Sequence, residues 1–250
     1  MLDPAVFPQP LPRFRPPHAP DMASLDVIMI PGGPRVARIE SQPFAENSYV
    51  VHGGTEGRCF VIDPGFEPEA IVDYLDRGGL EPEAILLTHG HSDHIAGNAD
   101  LRARWPRLPI LIGRGDAPKL LDPAGNLSAA FGIRLVSPAA DQLLDDGETV
   151  SVAGLTLVVR EIPGHSAGHV VYRLDASSPP LVFGGDVLFR DGVGRSDFPD
   201  GDGRALAAGI RERLYTLPAD TVVLPGHGDP TTVGRERQHN PFVRDAARED

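Results

Sequence analysis

The chain has 250 residues, a net charge of −12 and a single cysteine, Cys59. That length buries a sizeable core without disulfides, and the acidic balance argues against a binder of nucleic-acid backbones, which needs a basic face. No apolar run is long enough to cross a bilayer and no basic-then-apolar leader opens the sequence, so it reads as a cytoplasmic protein that works without membrane or nucleic acid.

Residues 1–34 stand apart from the rest. Seven of the first twenty residues are proline, which bars both a helix and a central strand. This segment reads as an extended arm, and residues 35–250 as the folded domain. Val36–Ile39 and Ser48–Val51 have the look of strands. Cys59–Ile62 is a buried strand that ends at Asp63-Pro64-Gly65, with Cys59 as a buried thiol. A helix is expected from about Glu67 to Arg77, with Pro68 in its first turn and Gly78-Gly79 as its stop. Ala84–Thr88 forms the next strand, followed by a polar loop and a helix to about Arg104. Pro109–Ile112 is a further strand.

Proline and glycine break up residues 113–140, which read as a short helix near 115–121 and a loop over 122–134. Strands return at Thr149–Val152, Leu155–Glu161, His169–Leu174 and Leu181–Phe183. A helix over about 203–216 places Leu206, Ile210 and Leu214 on one face, and Thr221–Leu224 is the last clear strand. Strands and helices mix without strict alternation, which favours an α/β (α+β) fold of two mixed sheets with helices outside.

The chemistry concentrates in Thr88-His89-Gly90-His91-Ser92-Asp93-His94. Three imidazoles and a carboxylate leave one short loop at a strand end, a ligand set that suits zinc, iron or manganese. Three later turns repeat the design. Apolar strands run into Pro163-Gly164-His165, Gly184-Gly185-Asp186 and Pro225-Gly226-His227. Five of the nine histidines fall in these turns. His89, His91, Asp93, His94, His165, Asp186 and His227 are too many ligands for one tetrahedral ion. They suit two divalent ions bridged by a carboxylate and a water-derived hydroxide. Asp186 is the natural bridge, and Asp93 and Asp186 are the candidate catalytic carboxylates. Asp63 is expected to orient a ligand by accepting an imidazole N–H. His169 is expected to pack or to support a ligand.

At these residues the chain resembles the metallo-β-lactamase-fold hydrolases, and most of all the glyoxalase II group (hydroxyacylglutathione hydrolases), over about residues 36–243. Thr88–His94 is similar to that family's signature, and His165, Asp186 and His227 fall at its later ligand positions. The resemblance implies a four-layer αββα sandwich with the metals at one edge between the sheets. It implies one ion held by His89, His91 and His165 and another by Asp93, His94 and His227, with Asp186 shared. The ions would be zinc, with iron or manganese also compatible. The implied reaction is hydrolysis of a small thioester, S-lactoylglutathione to lactate and glutathione, by a metal-bridging hydroxide.

Gly192–Pro199 and Gly234–Phe242 resemble the short single-domain bacterial members. The chain stops soon after Phe242, so the glutathione-binding helical domain of the two-domain members is not expected. Arg195 stands where the family has a lysine that contacts glutathione. It is read either as holding a substrate carboxylate or as pairing with Asp197. Gly194-Arg195-Ser196-Asp197-Phe198 is also similar to persulfide dioxygenases of this fold. Those use one iron, at positions matching His89, His165 and Asp186. That chemistry, and hydrolysis of other substrates such as lactones or phosphodiesters, are the alternatives.

Overall fold

Cys59-Phe60-Val61-Ile62 has no polar member, and all four residues are buried. A strand turns successive side chains to opposite faces, so this one must be covered on both sides. Cys59 and Val61 join one apolar cluster with Ile71 and Leu75. Phe60 and Ile62 join another with Tyr172 and Phe183. The same division runs along Ala84-Ile85-Leu86-Leu87. Two strands with two apolar faces each therefore specify a layer with a sheet on one side and helices on the other.

A computed structural model describes residues 25–30 and 33–244. The first sheet has seven strands in chain order: β1 (Leu25–Met29), β2 (Arg35–Ser41), β3 (Glu46–His52), β4 (Arg58–Ile62), β5 (Glu81–Leu87), β6 (Ile110–Gly113) and β7 (Gln142–Leu144). β1 to β4 pair antiparallel, and β4 to β7 pair parallel. The second sheet uses β8 (Thr149–Val152), β9 (Leu155–Glu161), β10 (Val170–Leu174), β11 (Leu181–Gly185), β14 (Val222–Pro225) and β15 (Thr231–Thr232). Their spatial order is β15-β14-β11-β10-β9-β8. A small hairpin, β12 (Leu188–Phe189) and β13 (Gly192–Val193), lies between β11 and β14 in the chain.

Helices α1 (Pro68–Gly78) and α3 (Asn98–Arg104) cover the outer face of the first sheet through Ile71, Leu75 and Leu101. Helix α4 (Gly203–Gly209), the π-helical turn Ile210–Leu214 and α5 (Val233–His239) cover the second through Leu206, Ile210, Leu214 and Val233. The middle cluster joins the two sheets face to face. The layers are thus helix, sheet, sheet, helix, a mixed α/β sandwich as expected.

Several boundaries differ from the sequence reading. The arm assigned to residues 1–34 includes β1, which pairs with β2 as an edge strand. Residues 1–24, 31 and 32 lie outside the described residues. The helix expected from the ligand loop to Arg104 divides into α2 (Ser92–Ile95) and α3. Gly97 lies between them, and its N–H turns to the Pro64 carbonyl at 2.8 Å. The short helix near 115–121 is 3₁₀ over Ala117–Leu121, and the loop beyond it contains a second 3₁₀ turn, Ser128–Phe131.

The sheets are also fastened to each other by reciprocal tyrosines. Tyr49 on β3 donates its hydroxyl to the Pro225 carbonyl at the end of β14, at 2.7 Å. Tyr172 on β10 donates to the Leu87 carbonyl at the end of β5, at 2.8 Å. Each tyrosine reaches from one sheet to the last residue of a strand in the other. Both phenols are fully buried, and burial pushes their pKa values well up, so they remain donors.

Burial, followed by the nearby Glu81 and Glu83 carboxylates, pushes the Cys59 thiol up to about 12. At pH 8 about one thiol in ten thousand is then ionised. Native protein should therefore resist a thiol-specific reagent for hours, and protein in denaturant should react with one equivalent within minutes. Rapid reaction of the native form would show that this layer of the core opens readily.

Candidate metal centre

The candidate ligands leave strand ends that the topology gathers at one edge. β11 and β14 run parallel, which puts Asp186 and His227 at the same end of the second sheet. Gly226 N donates to the Gly185 carbonyl at 2.8 Å, and Asn47 N donates to the Gly226 carbonyl at 2.7 Å. The His227 turn is thereby bonded to both sheets. Gly226 is small for a reason of space. A Cβ there would lie 2.3 Å from Asp186 Oδ1 and 2.7 Å from His94 Cε1.

His89, His91 and His165 converge. His89 Nε2 lies 3.1 Å from His91 Nδ1 and 3.2 Å from His165 Nε2. His91 Nδ1 and His165 Nε2 are 2.9 Å apart. A tetrahedral ion with ~2.0 Å bonds to nitrogen keeps its ligand atoms about 3.3 Å apart. The triangle therefore has the size of one face of such a coordination shell.

Asp93, His94 and His227 form a second group. His227 Nε2 is 3.3 Å from Asp93 Oδ2, and His94 Nε2 is 3.8 Å from the same oxygen. Asp186 stands between the groups. Its Oδ2 lies 3.4 Å from His165 Nε2 and 3.5 Å from His227 Nε2, and its Oδ1 lies 3.4 Å from His94 Nε2. His94 Nε2 and Asp186 Oδ1 are buried and make no hydrogen bond. Buried polar atoms without partners are costly, and these two point at the place where a cation would satisfy both.

Three of the remaining ring nitrogens are fastened from outside. His94 Nδ1 donates to Asp63 Oδ2 at 3.0 Å. His165 Nδ1 donates to the Arg195 carbonyl at 2.8 Å, and His227 Nδ1 to the Phe44 carbonyl at 3.2 Å. With the proton on Nδ1, Nε2 keeps its lone pair for a metal. Asp63, held in the left-handed region at φ 49, also accepts from Thr88 N at 2.8 Å and Thr88 Oγ1 at 2.6 Å. Asp63, His89 and His94 are close enough to suggest a third ligand group. Asp63, however, already takes three donors, so its geometry is that of a group that orients His94.

Electrostatics separates the two groups. Burial and then the neighbouring imidazoles hold His89 well below the usual histidine range. Burial, followed by His165, pushes His91 down to about 3, and burial lowers His165. These rings are neutral, the state that ligates a metal. In the second group burial is outweighed by carboxylates. Asp93 and Asp186 raise His94 well above its usual range. Asp186, followed by Asp93, pushes His227 up to about 10. Asp186 is itself held well below the carboxylate range, because His94, His227 and His165 overcome the effect of its burial. A cation bound here would compete with protons for these two rings.

Arg195 lies at the rim. Its side chain is 68% exposed, and its guanidinium forks onto Asp197 at 2.8 and 3.0 Å and lies over the Phe198 ring at 4.5 Å. Phe198 in turn packs edge-on against His91 and His165. His169 accepts the Asp186 N–H at 3.0 Å and stacks on His89. Glu46 escaped the sequence reading. It is fully buried, 3.8 Å from His94 Nδ1, and its carboxyl is pushed well up by burial. Nothing in Phe44-Ala45-Glu46-Asn47 marks it, because only the pairing of β3 with the His227 turn brings it to the site.

Comparison with known proteins gives the same picture. The family model "Metallo-beta-lactamase superfamily" matches residues 41–227. The chain is 36% identical to "Probable metallo-hydrolase YqgX" of Bacillus subtilis, covering 82% of this chain and 96% of that one. It is 33% identical to "Hydroxyacylglutathione hydrolase GloC" of Haemophilus influenzae, covering 75% and 88%. Among solved structures, BLEG-1 B3 metallo-beta-lactamase superposes with a TM-score of 0.78 at 35% identity, covering 83% and 99%. TTHA1623 in a di-iron-bound form superposes with a TM-score of 0.72 at 36% identity, covering 82% and 99%. A family model spanning most of the chain, together with the gathered His/Asp cluster, makes this protein a member of the metallo-beta-lactamase superfamily, a metal-dependent hydrolase by family.

Proposed function

We propose that the protein is a two-metal thioester hydrolase of glyoxalase II type, acting on S-lactoylglutathione to give lactate and glutathione. The observation that carries the two-metal reading is the position of Asp186, whose carboxylate oxygens face His165 on one side and His94 and His227 on the other. His89, His91 and His165 would hold one ion, Asp93, His94 and His227 the second, and Asp186 both. When bound, such a pair lowers the pKa of a shared water and polarises a carbonyl. The chain's own residues supply orientation. Asp63 holds the His94 ring, and the carbonyls of Arg195 and Phe44 hold His165 and His227. A thiolate leaves far more readily than an alkoxide because its conjugate acid is stronger. A dedicated acid group is therefore not required, which fits a site whose carboxylates all face imidazoles.

The substrate reading draws on the 33% identity to a hydroxyacylglutathione hydrolase. A single-iron centre would need only His89, His165 and Asp186. The approach of His91 Nδ1 to 2.9 Å from His165 Nε2, and the second group beyond Asp186, favour two ions.

Purified protein should contain about two transition-metal ions per chain, cleave S-lactoylglutathione, and consume no oxygen with glutathione persulfide. One iron per chain with oxygen uptake would overturn the reading. Asp186→Ala should leave at most one tightly bound ion and lower turnover by more than about a hundredfold. Full activity with two ions retained would remove Asp186 from the bridge. Arg195→Ala should raise KM for S-lactoylglutathione by about tenfold with kcat little changed, the loss of one charge-assisted contact. An unchanged KM would assign Arg195 to its pair with Asp197.

A further inference from the structure

We propose that Asp116, a residue outside the ligand set, is the positioning residue that sets the His89–His91–His165 triangle. The proposal rests on the metal reading above and concerns only one of its two ions.

Asp116 follows the end of β6 in Gly113-Arg114-Gly115-Asp116 and is fully buried. Its Oδ2 accepts the Gly90 N–H at 2.8 Å, and Gly90 is the residue between His89 and His91. The same oxygen accepts the Ser166 hydroxyl. Its Oδ1 accepts the Gly168 N–H at 2.8 Å, with Lys119 Nζ at 3.4 Å. One carboxylate therefore holds the loop that carries two of the histidines and the loop that follows the third. Lys119 extends the clamp. Its ammonium lies 2.7 Å from Asp200 Oδ2, which accepts the Ala167 N–H at 3.0 Å. Ser166, Ala167 and Gly168, the three residues after His165, are each tethered.

Backbone contact fixes the remaining distance. A Cβ on Gly168 would lie 2.2 Å from Asp116 N, and a Cβ on Gly115 would lie 2.8 Å from Gly168 Cα. The two segments touch with no side chain between them, so the carboxylate has no slack to absorb. The second ligand group is fastened by other atoms: Asp63 on His94 and the Phe44 carbonyl on His227. Loss of the Asp116 clamp should act on one ion and spare the other.

The chemistry requires a carboxylate. Donors approach both oxygens, so both must accept. Asparagine has the same shape but presents an NH₂ group at one position. It must give up either the Gly90 and Ser166 side or the Gly168 side, and it opposes an N–H to an N–H there.

The test is stepwise titration of the metal-free full chain with Co(II), followed by calorimetry and the visible absorption spectrum, for the wild type, Asp116→Asn and Ser166→Ala. The wild type should bind two ions; failure to do so would count against the metal reading itself. Asp116→Asn should weaken one ion by about 10–100-fold, as loss of an orienting partner does, with an altered cobalt spectrum for that ion only. The other affinity should be unchanged. Ser166→Ala removes one of the donors and should weaken the same ion by a smaller factor. If Asp116→Asn does not fold, the selectivity must still appear in Ser166→Ala. Equal weakening of both ions, or of neither, in the variants that fold would overturn the proposal.

Discussion

The tyrosine hydrogen bonds that cross between the sheets carry the most consequence for the rest of the molecule. Tyr49 ties the first sheet to the end of β14, and Tyr172 ties the second sheet to the end of β5. Those two strand ends lead directly to His227 and to the Thr88–His94 run. Neither ligand group belongs to one sheet. His89, His91, Asp93 and His94 leave the first sheet, while His165, Asp186 and His227 leave the second. Sliding of one sheet by even part of a residue would separate the His165 nitrogen from those of His91 and His89, which now stand 2.9 and 3.2 Å from it. The apolar middle layer supplies adhesion between the sheets, but adhesion without direction does not fix register. The two buried phenols do, because each has one carbonyl partner at a defined place.

Gathering like groups away from water has a cost that the frame must carry. Three imidazoles in a buried triangle must all stay neutral, and burial together with mutual repulsion sees to that for His89 and His91. Holding them there also requires that each ring be unable to swing away. Outer hydrogen bonds to Thr88, Asp63, Arg195 and Phe44 restrain four of the five clustered imidazoles. His91 is the exception: its Nε2 is buried without a hydrogen bond. Its ring is confined instead by the edge of Phe198 and, through Gly90, by the backbone bond to Asp116.

The sequence made the His/Asp cluster legible because metal chemistry constrains side-chain identity and local spacing at once. His89, His91, Asp93 and His94 share one loop, and His165, Asp186 and His227 each follow an apolar strand and a small residue. The layers were legible from strands such as Cys59–Ile62, whose faces are both apolar. Other features depend on partners distant in the chain. Glu46 and Asp116 are single acids, one opening β3 and the other in the turn after β6, and only folding reveals that each is fully buried beside a loop of the His/Asp cluster. β1 lies in a stretch dominated by the signal of its proline-rich neighbours, although Leu25–Met29 itself is mostly apolar and pairs with β2. The break between α2 and α3 follows from tertiary contact: the Gly97 N–H bonds to the Pro64 carbonyl, and a Cβ at Gly97 would come within 2.9 Å of the Gly65 carbonyl oxygen.

The acidic excess and the metal reading bear on each other. Around the site the cations are matched by aspartates: Arg195 by Asp197, Arg190 by Asp229, and Lys119 by Asp116 and Asp200. The inner carboxylates Asp93 and Asp186 face imidazoles rather than arginine or lysine. Among the described residues no arginine or lysine pairs with either, so a metal bound there would compete with protons on His94 and His227 rather than with a fixed cation. The two groups also differ in access. His89, His91 and His165 are nearly sealed, while the side chains of Asp93 and His227 are 17% and 27% exposed. Asp93 and His227 are therefore the members of the cluster most open to solvent. The all-imidazole group is the more enclosed of the two, so an ion held there would exchange with solvent less readily than one held by Asp93 and His227.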